Sequence, residues 1–103
     1  MEEIKKIQNS TKNKQPSNLE AEQALLGSIL VNNDIIDEIS TLINSNIFYD
    51  PAHIKIYEVI ENLNNKGMIA NPITLKNFFE KDNMLTDVGG TEYLVKLTRF
   101  SGS

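Results

Sequence analysis

Apolar residues recur every three or four positions in five successive segments of this 103-residue chain. That spacing places the apolar side chains on one face of an α-helix. The five segments begin near residues 17, 34, 51, 72 and 90, and short connections separate them. The pattern predicts an all-α protein, a small orthogonal bundle of about five helices.

The first segment has a clear start and an interior glycine. Ser17 stands three residues before Glu20, and this S-x-x-E spacing predicts a capping box in which each side chain bonds the other residue's backbone N–H. Gly27 interrupts the apolar face at a cost of about 1 kcal/mol relative to alanine. The glycine predicts close packing against another helix, and a merely tolerated glycine is the alternative. The apolar face comprises Ala21, Leu25, Leu26, Ile29 and Leu30.

The second segment predicts an amphipathic helix over residues 34–43, with Asn33 as a candidate N-cap. Three acidic residues, Asp34, Asp37 and Glu38, lie near its start. They suit the positive end of the helix dipole. Because a calcium loop needs acids at alternate positions with a glycine turn, we expect these residues to form a solvated face instead.

An apolar connector and a third helix follow. Residues 44–49 include the run Ile-Phe-Tyr at 47–49, which is too apolar for a free loop and is expected to fill the core. Asp50 supplies an N-cap acceptor, and Pro51 suits the first helical position because an N–H there would have no partner. Gly67 readily adopts the left-handed conformation that ends helices. The third helix is therefore predicted from Pro51 to the residue before Gly67.

Two further helices complete the pattern. Asn71 and Pro72 repeat the signal of a cap followed by proline, and the adjacent Gly89 and Gly90 predict a tight turn into the fifth helix. Two glycines alone do not make a phosphate-binding loop, which needs a longer glycine pattern and a lysine. The inward residues are expected to be Leu75, Phe78 and Phe79 in the fourth helix and Tyr93, Leu94, Leu97 and Phe100 in the fifth.

Charge divides the chain into two parts. Residues 1–16 hold four lysines and two glutamates, a net charge of +2, and are predicted to form a disordered basic tail. Residues 17–103 hold six basic and twelve acidic residues, a net charge of −6, and are predicted to form the folded head. A body of that sign is a poor partner for nucleic-acid phosphates. Direct DNA binding by this domain is therefore not expected.

The side chains offer no catalytic or ligand-binding constellation. With no cysteine and one histidine, the chain has no means to form disulfides, cysteine zinc sites or a thiol nucleophile. His53 lies beside Asp50, but no nucleophile or second carboxylate stands at a spacing suited to general-base catalysis. We expect His53 to be structural or solvated, and no residue to serve catalysis, a cofactor or a metal. Without a membrane-spanning stretch or signal peptide, the protein is expected to be cytoplasmic.

Four sequence segments carry a family resemblance. They are Pro-Ser-Asn-Leu-Glu-Ala-Glu-Gln-Ala-Leu-Leu-Gly (16–27), Phe-Tyr-Asp-Pro-Ala-His-Ile-Lys-Ile-Tyr (48–57), Ile-Thr-Leu (73–75) and Val-Gly-Gly-Thr-Glu-Tyr-Leu (88–94). In this order, and with these gaps, they resemble the N-terminal domain of the DnaB-type bacterial replicative DNA helicases. The likeness covers nearly everything after the tail.

The resemblance implies a role within a larger protein. Members of that family are hexameric, ATP-driven motors that unwind DNA at the replication fork, with ATP and Mg²⁺ in a C-terminal motor domain that is missing here. Their N-terminal domains form a collar, built as a trimer of dimers, that docks the C-terminal domain of primase and the helicase loader. This chain lacks most of the helical hairpin that pairs two subunits. It is therefore expected to be a non-catalytic assembly and interaction domain at the replication fork, in the bacterial cytoplasm and nucleoid.

Three residues are predicted to lie at protein interfaces: Ile54, Thr91 and Tyr93. Ile54 is an apolar residue on the polar face of the third helix. Thr91 follows the glycine pair, where the family often has an aromatic residue, so a head-to-head contact that depends on an aromatic anchor there is weakened. Tyr93 serves either such an interface or the core.

Two other functions stay open. A free-standing helical regulator that reads DNA needs a basic recognition helix, and none of helices two to five has more than two basic residues. The helicase-binding domain of a primase has related helical architecture, although the order of the motif segments argues against it. The sequence after Ser103 would decide, because a linker and P-loop motor indicate the helicase and a chain end indicates the primase.

Overall fold

The computed structural model describes the backbone of residues 16–100 and the side chains of residues 19–100. The helices in this range are α1 (Pro16–Val31), α2 (Asp34–Ile39), α3 (Pro51–Asn65), α4 (Pro72–Lys81) and α5 (Gly90–Leu97), with 3-10 turns at Ser45–Ile47, Thr86–Val88 and Thr98–Phe100. The described residues include no strand, and the predicted all-α class with five helices is confirmed. Apart from Pro16, the predicted basic tail lies outside the described residues.

Helix α3 is buried against several neighbours. It packs on α1, on α4 and on the turns at Ser45–Ile47 and Thr86–Val88, while α1 also packs on α2 and α5. Full burial of a large apolar side chain contributes about 1.5–3 kcal/mol, so these contacts dominate the stability of the fold. The side chains of α3 that are at most 2% exposed are His53, Ile56, Tyr57, Ile60 and Leu63. Across residues 16–100, no helix combines the length and the apolar character needed to cross a membrane.

Helix α3 begins and ends where the local sequence places its signals. Asp50 is the N-cap, and its Oδ1 accepts hydrogen bonds from the backbone N–H groups of Ala52 and His53. At the other end Gly67 adopts a φ of +76°, and the following N–H, of Met68, donates to the Leu63 carbonyl at 2.9 Å. This bond is part of the Schellman arrangement that satisfies a terminal carbonyl.

Helix α4 has a reciprocal cap. Asn71 Oδ1 accepts from the Thr74 backbone N–H at 2.9 Å, and the Thr74 hydroxyl accepts from the Asn71 N–H at 2.9 Å. The helix ends as Asn83 takes a φ of +58° and the Met84 N–H donates to the Phe79 carbonyl. Leu75 and Phe79 of this helix are buried, and Phe78 is half-buried.

Helix α1 begins at Pro16, so Ser17 lies inside the first turn instead of at the predicted N-cap position. Proline favours the first helical position because its φ is already helical and it has no N–H to leave unpaired. The side chain of Ser17 lies outside the described side chains, so the capping box with the exposed Glu20 stays a prediction. Gly27 is buried in the middle of the helix, and its close packing against another helix also stays a prediction.

Helix α2 ends at Ile39, although the sequence pattern predicts a helix as far as residue 43. Ser40 and Thr41 follow, and their hydroxyls compete with the backbone for hydrogen bonds, which weakens a helix. Leu42, beyond them, is 78% exposed and does not join an apolar helix face. The predicted length of this helix is therefore wrong.

Asn33 does not cap α2. Its backbone is already helical, and its side chain makes no capping bond. The side-chain amide instead accepts from the Ala70 N–H at 2.7 Å and donates to the Ala70 carbonyl at 2.9 Å and to the Ile29 carbonyl at 2.8 Å. Asn33 therefore fixes the segment before α4 onto the end of α1.

The connector at residues 47–49 sends one side chain into the core, where the sequence predicts three. Phe48 is 3% exposed, whereas Ile47 and Tyr49 are 49% and 63% exposed. Phe48 has an extended backbone, with φ −88° and ψ 136°. Neighbouring side chains on an extended backbone point to opposite sides, so burial of Phe48 turns Tyr49 outward, while Ile47 is the last residue of the 3-10 turn.

Candidate functional site

A buried chain of polar side chains links α1, α3 and α5. Glu22 on α1 is 8% exposed, and its Oε1 lies 2.7 Å from Nδ1 of His53 on α3. The other carboxylate oxygen, Oε2, accepts a 2.7 Å hydrogen bond from the Tyr49 backbone N–H. A buried carboxylate needs such partners, because burial of an uncompensated charge is very costly. Glu22 therefore holds α1 to α3 and to the loop that precedes it.

His53 continues the chain to α5. Its side chain is fully buried, and Nε2 lies 2.6 Å from the Tyr93 hydroxyl oxygen. The side-chain N–H of Gln23 donates to the same oxygen at 3.0 Å. Because an ionised Glu22 accepts only, we assign Nδ1 of His53 as the donor to Glu22 and Nε2 as the acceptor of the Tyr93 hydroxyl. Each polar atom of the chain then has a partner.

The Tyr93 hydroxyl is held in its protonated form. Burial raises its pKa above the ordinary value of 10.0, the Gln23 hydrogen bond lowers it, and the negative charges of Asp50 and Glu22 raise it again, with a net increase. At neutral pH the phenol therefore keeps the proton that it donates to His53.

Two local features position the His53 and Tyr93 rings. The cap at Asp50 sets the first turn of α3, where His53 lies. Gly89 has a φ of +100°, and a Cβ there would lie 2.7 Å from Cβ of Tyr93. The glycine thus permits the close approach of Tyr93, whose ring stands 5.9 Å from that of His53 at an interplanar angle of 9°.

This arrangement is suited to holding helices together. The imidazole of His53 is fully buried. Among the described residues, the hydroxyl that bonds this imidazole is the Tyr93 phenol, and Gln23 donates a hydrogen bond to the same hydroxyl. Within residues 16–100, no three His, Cys, Asp or Glu side chains form a group that would hold a metal ion. The chemistry of the cluster is therefore that of a structural hydrogen-bonded link.

The three predicted interface residues occupy different environments. Ile54 is half-buried and packs against the core, and Tyr93 is half-buried with its hydroxyl in the polar chain. Thr91 lies on α5 and lines a shallow surface depression of about 410 Å³ with Glu92, Val95, Lys96 and Arg99. Tyr93 contacts His53, the neighbour of Ile54, whereas Thr91 belongs to the outer surface of α5. Their role at an interface stays a prediction.

Comparison with known proteins places this architecture in a family. Residues 14–103 match the sequence model described as DnaB-like helicase N terminal domain. The chain belongs to this family. It is 45% identical to the replicative DNA helicase DnaB of Rickettsia felis over 86 residues, which are 84% of this chain and 17% of that protein. It is 39% identical to that of Pasteurella multocida over 84 residues, which are 82% of this chain and 18% of that protein.

A solved structure agrees with the family assignment. The crystal structure of the N-terminal domain of DnaB helicase from Mycobacterium tuberculosis matches with a TM-score of 0.78 at 30% identity. The match covers 82% of this chain and 62% of that chain. Both the sequence and the fold of this chain are therefore those of a DnaB N-terminal domain.

Three of the four sequence segments that resemble DnaB meet at the buried polar chain of this domain. The first segment supplies Glu22, the second supplies His53 and the fourth supplies Tyr93. The segments are far apart in the sequence, and the hydrogen bonds bring them to one place in the core. The polar chain is thus part of how these segments specify the fold.

Glu22 was missed by the reasoning from sequence, although its position carried a signal. It lies four residues before Leu26 and seven before Ile29, which are both buried, so it shares their helix face. His53 lies three residues before Ile56 and seven before Ile60 of α3, which are also buried, so it too shares a buried helix face. An acid and the single histidine, each at a buried position of its helix, indicate a buried pair.

Proposed function

We propose that this domain is a non-catalytic assembly and interaction module of a replicative DNA helicase. The observation that carries the proposal is the match of residues 14–103 to the DnaB-like helicase N-terminal domain family. The chain spans only 17% and 18% of the two relatives named replicative DNA helicase DnaB. That name favours the helicase over the helicase-binding domain of a primase.

The parent protein is proposed to be a hexameric enzyme that unwinds DNA with ATP. In this proposal ATP and Mg²⁺ bind a separate motor domain, and the N-terminal domain uses no cofactor. The parent acts at the replication fork, in the bacterial cytoplasm and nucleoid.

The partners proposed for the domain are proteins. Copies of the domain contribute to the N-terminal collar of the hexamer, as dimers that require the helical hairpin of the family. The collar docks the C-terminal domain of primase and the helicase loader. Exposed apolar side chains support a role in protein contacts, such as Ile69 and Ile73, which are 64% and 68% exposed. The acidic balance of residues 17–103 supports the absence of direct DNA binding.

Isothermal titration calorimetry tests the docking role. The domain, extended through the family's hairpin, is titrated with the C-terminal domain of the cognate primase at two temperatures, because a binding enthalpy can vanish at one of them. We expect a saturable heat, and no heat at either temperature would contradict the proposal. As a companion assay, the 103-residue chain alone should hydrolyse no ATP, with or without DNA, and turnover would contradict its non-catalytic role.

A further inference from the structure

Helix α2 and the chain that follows it to Ile47 expose both acidic and apolar side chains. Asp34, Asp37 and Glu38 are exposed on α2, and Leu42 and Ile47 are 78% and 49% exposed. We call these five residues the α2 face. Single exposed apolar residues are ordinary on a protein surface. Two of them within 14 residues of sequence that also expose three carboxylates suit a partner with both apolar and basic side chains.

Charge distinguishes the half of the head sequence that contains the α2 face from the other half. Residues 17–54 contain no lysine or arginine, and their six acids are Glu20, Glu22, Asp34, Asp37, Glu38 and Asp50. All six basic residues of the head lie between Lys55 and Arg99, where six further acids offset them. The net charge of −6 therefore resides in the half of the head that contains the α2 face. Its electrostatic complement is cationic.

The chain itself contains a segment of this complementary chemistry. Residues 4–14 read Ile-Lys-Lys-Ile-Gln-Asn-Ser-Thr-Lys-Asn-Lys, with four lysines, two isoleucines and no acid. We propose that residues 4–14 bind the α2 face of the same molecule. The lysines of the segment carry charge opposite to that of the α2 carboxylates, and its two isoleucines match the apolar character of Leu42 and Ile47. This inference goes beyond the proposed function and does not depend on it.

The connection to α1 allows this contact. Tyr49, two residues after Ile47, donates its backbone N–H to Glu22 at 2.7 Å, which places this end of the α2 face beside α1. Pro16 precedes Glu22 by six residues, about 9 Å of helix. An extended chain spans about 3.3 Å per residue, so residues 4–14 are long enough to follow the face from Ile47 to α2. Because the segment is tethered, weak contacts are sufficient to hold it.

A spin label tests the contact in the full chain. The protein has no cysteine, so a Ser10→Cys variant carries one nitroxide, in the middle of the segment. In the NMR spectrum we expect the backbone amides of Asp37, Leu42 and Ile47 to lose most of their intensity. The amides of Asn77 and Lys81, which line a groove on the α3–α4 side, should keep theirs. Undiminished amides on the α2 face would overturn the proposal.

Variants test whether residues 4–14 of the same molecule, and not a second copy, occupy the α2 face. In the labelled protein, Lys→Glu changes at positions 5, 6, 12 and 14, or Leu42→Ser with Ile47→Ser, should restore the lost intensity. Val95→Ser, a matched change at an apolar side chain that is 41% exposed on α5, should leave the losses as they are. Losses that persist after the lysine reversal would overturn the proposal. So would losses that grow with protein concentration, because a second copy would then be the occupant.

Discussion

Glu22 and His53 are 31 positions apart in the sequence, and Oε1 of the carboxylate lies 2.7 Å from Nδ1 of the imidazole. The pair joins α1 to α3 inside the core, and the Tyr93 hydroxyl, bonded to Nε2, extends the link to α5. Loss of any one member removes a hydrogen bond from a polar group of another. The stability of this DnaB N-terminal domain should therefore depend strongly on these three side chains.

Removal of the Glu22 carboxylate should destabilise the domain. Glu22→Ala removes the carboxylate that the buried His53 ring and the Tyr49 backbone N–H bond. A buried polar group left unpaired costs about 1–3 kcal/mol, and we expect a loss of this size in the free energy of unfolding measured with urea. Glu38→Ala, at an exposed acid on α2, is the control and should change stability by less than about 0.5 kcal/mol. Equal effects of the two variants would show that the Glu22 pair is not stabilising.

Two of the left-handed glycines, Gly67 and Gly89, differ in their surroundings and so provide a test of the Tyr93 contact. Gly67→Ala, at a φ of +76° with nothing within 4 Å of the added Cβ, should cost about 1–2 kcal/mol from backbone strain alone. Gly89→Ala should cost more, because its Cβ would also lie 2.7 Å from Cβ of Tyr93 and displace the ring. Thermal unfolding of the two variants measures the difference. A smaller loss for Gly89→Ala would contradict the packing described for Tyr93.

The side chain of Asn33 should contribute more to stability than that of its neighbour Asn32. Asn33→Ala removes the partner of both the N–H and the carbonyl of Ala70, a residue that is 0% exposed. A buried polar group left unpaired costs about 1–3 kcal/mol, so the free energy of unfolding should fall by that amount. Asn32 is exposed, and within residues 16–100 its side chain accepts the Asp34 N–H, so Asn32→Ala is the matched control. Similar losses in the two variants would argue against the bridge from α1 to the segment before α4.

The stability of the domain should fall at alkaline pH because of Tyr57. Burial, followed by the charge of the nearby Glu61, raises the pKa of Tyr57 to about 12 from an ordinary value of 10.0. The folded state therefore favours the protonated phenol, and this contribution to stability is complete below pH 10. As pH rises from 10 to about 12, the unfolded state loses its proton first, so stability should fall by up to about 1.4 kcal/mol per pH unit. Urea unfolding at several alkaline pH values measures the slope.

The Tyr57→Phe variant tests the role of the Tyr57 hydroxyl both at pH 7 and at alkaline pH. Among the described side chains, the Tyr57 hydroxyl is the buried polar atom without a hydrogen-bond partner. Its removal should leave stability at pH 7 unchanged or raise it by about 1 kcal/mol. The alkaline fall should become shallower, with the part due to Tyr93 retained, because burial raises that pKa as well. A large loss at pH 7 would mean that the hydroxyl has a partner.

Local signals in the sequence located most helix ends. Asp50 and Asn71 cap α3 and α4, and Gly67 ends α3 in a left-handed conformation. These features depend on a few adjacent residues, so the sequence was sufficient to find them. The early end of α2 was not found because the spacing of apolar residues took no account of Ser40 and Thr41, which weaken a helix. The outward position of Ile47 was not found because packing against the rest of the domain decides which apolar residues enter the core.

The buried polar chain could be predicted from the sequence only in part. The helical register places Glu22 and His53 on buried faces, and this was readable from the sequence. The register does not show which buried groups meet across two helices, nor that Tyr93 completes the chain from a third. Those contacts depend on how the helices pack, which a spacing of residues within one helix does not specify.

A double-mutant cycle tests most directly whether the three side chains act as one link. Glu22 and Tyr93 are joined through His53, so Glu22→Ala and Tyr93→Phe should not be independent. We predict that the unfolding free energies of the single and double variants differ from additivity by about 1 kcal/mol or more. Losses that add to within about 0.5 kcal/mol would contradict a continuous link between α1, α3 and α5.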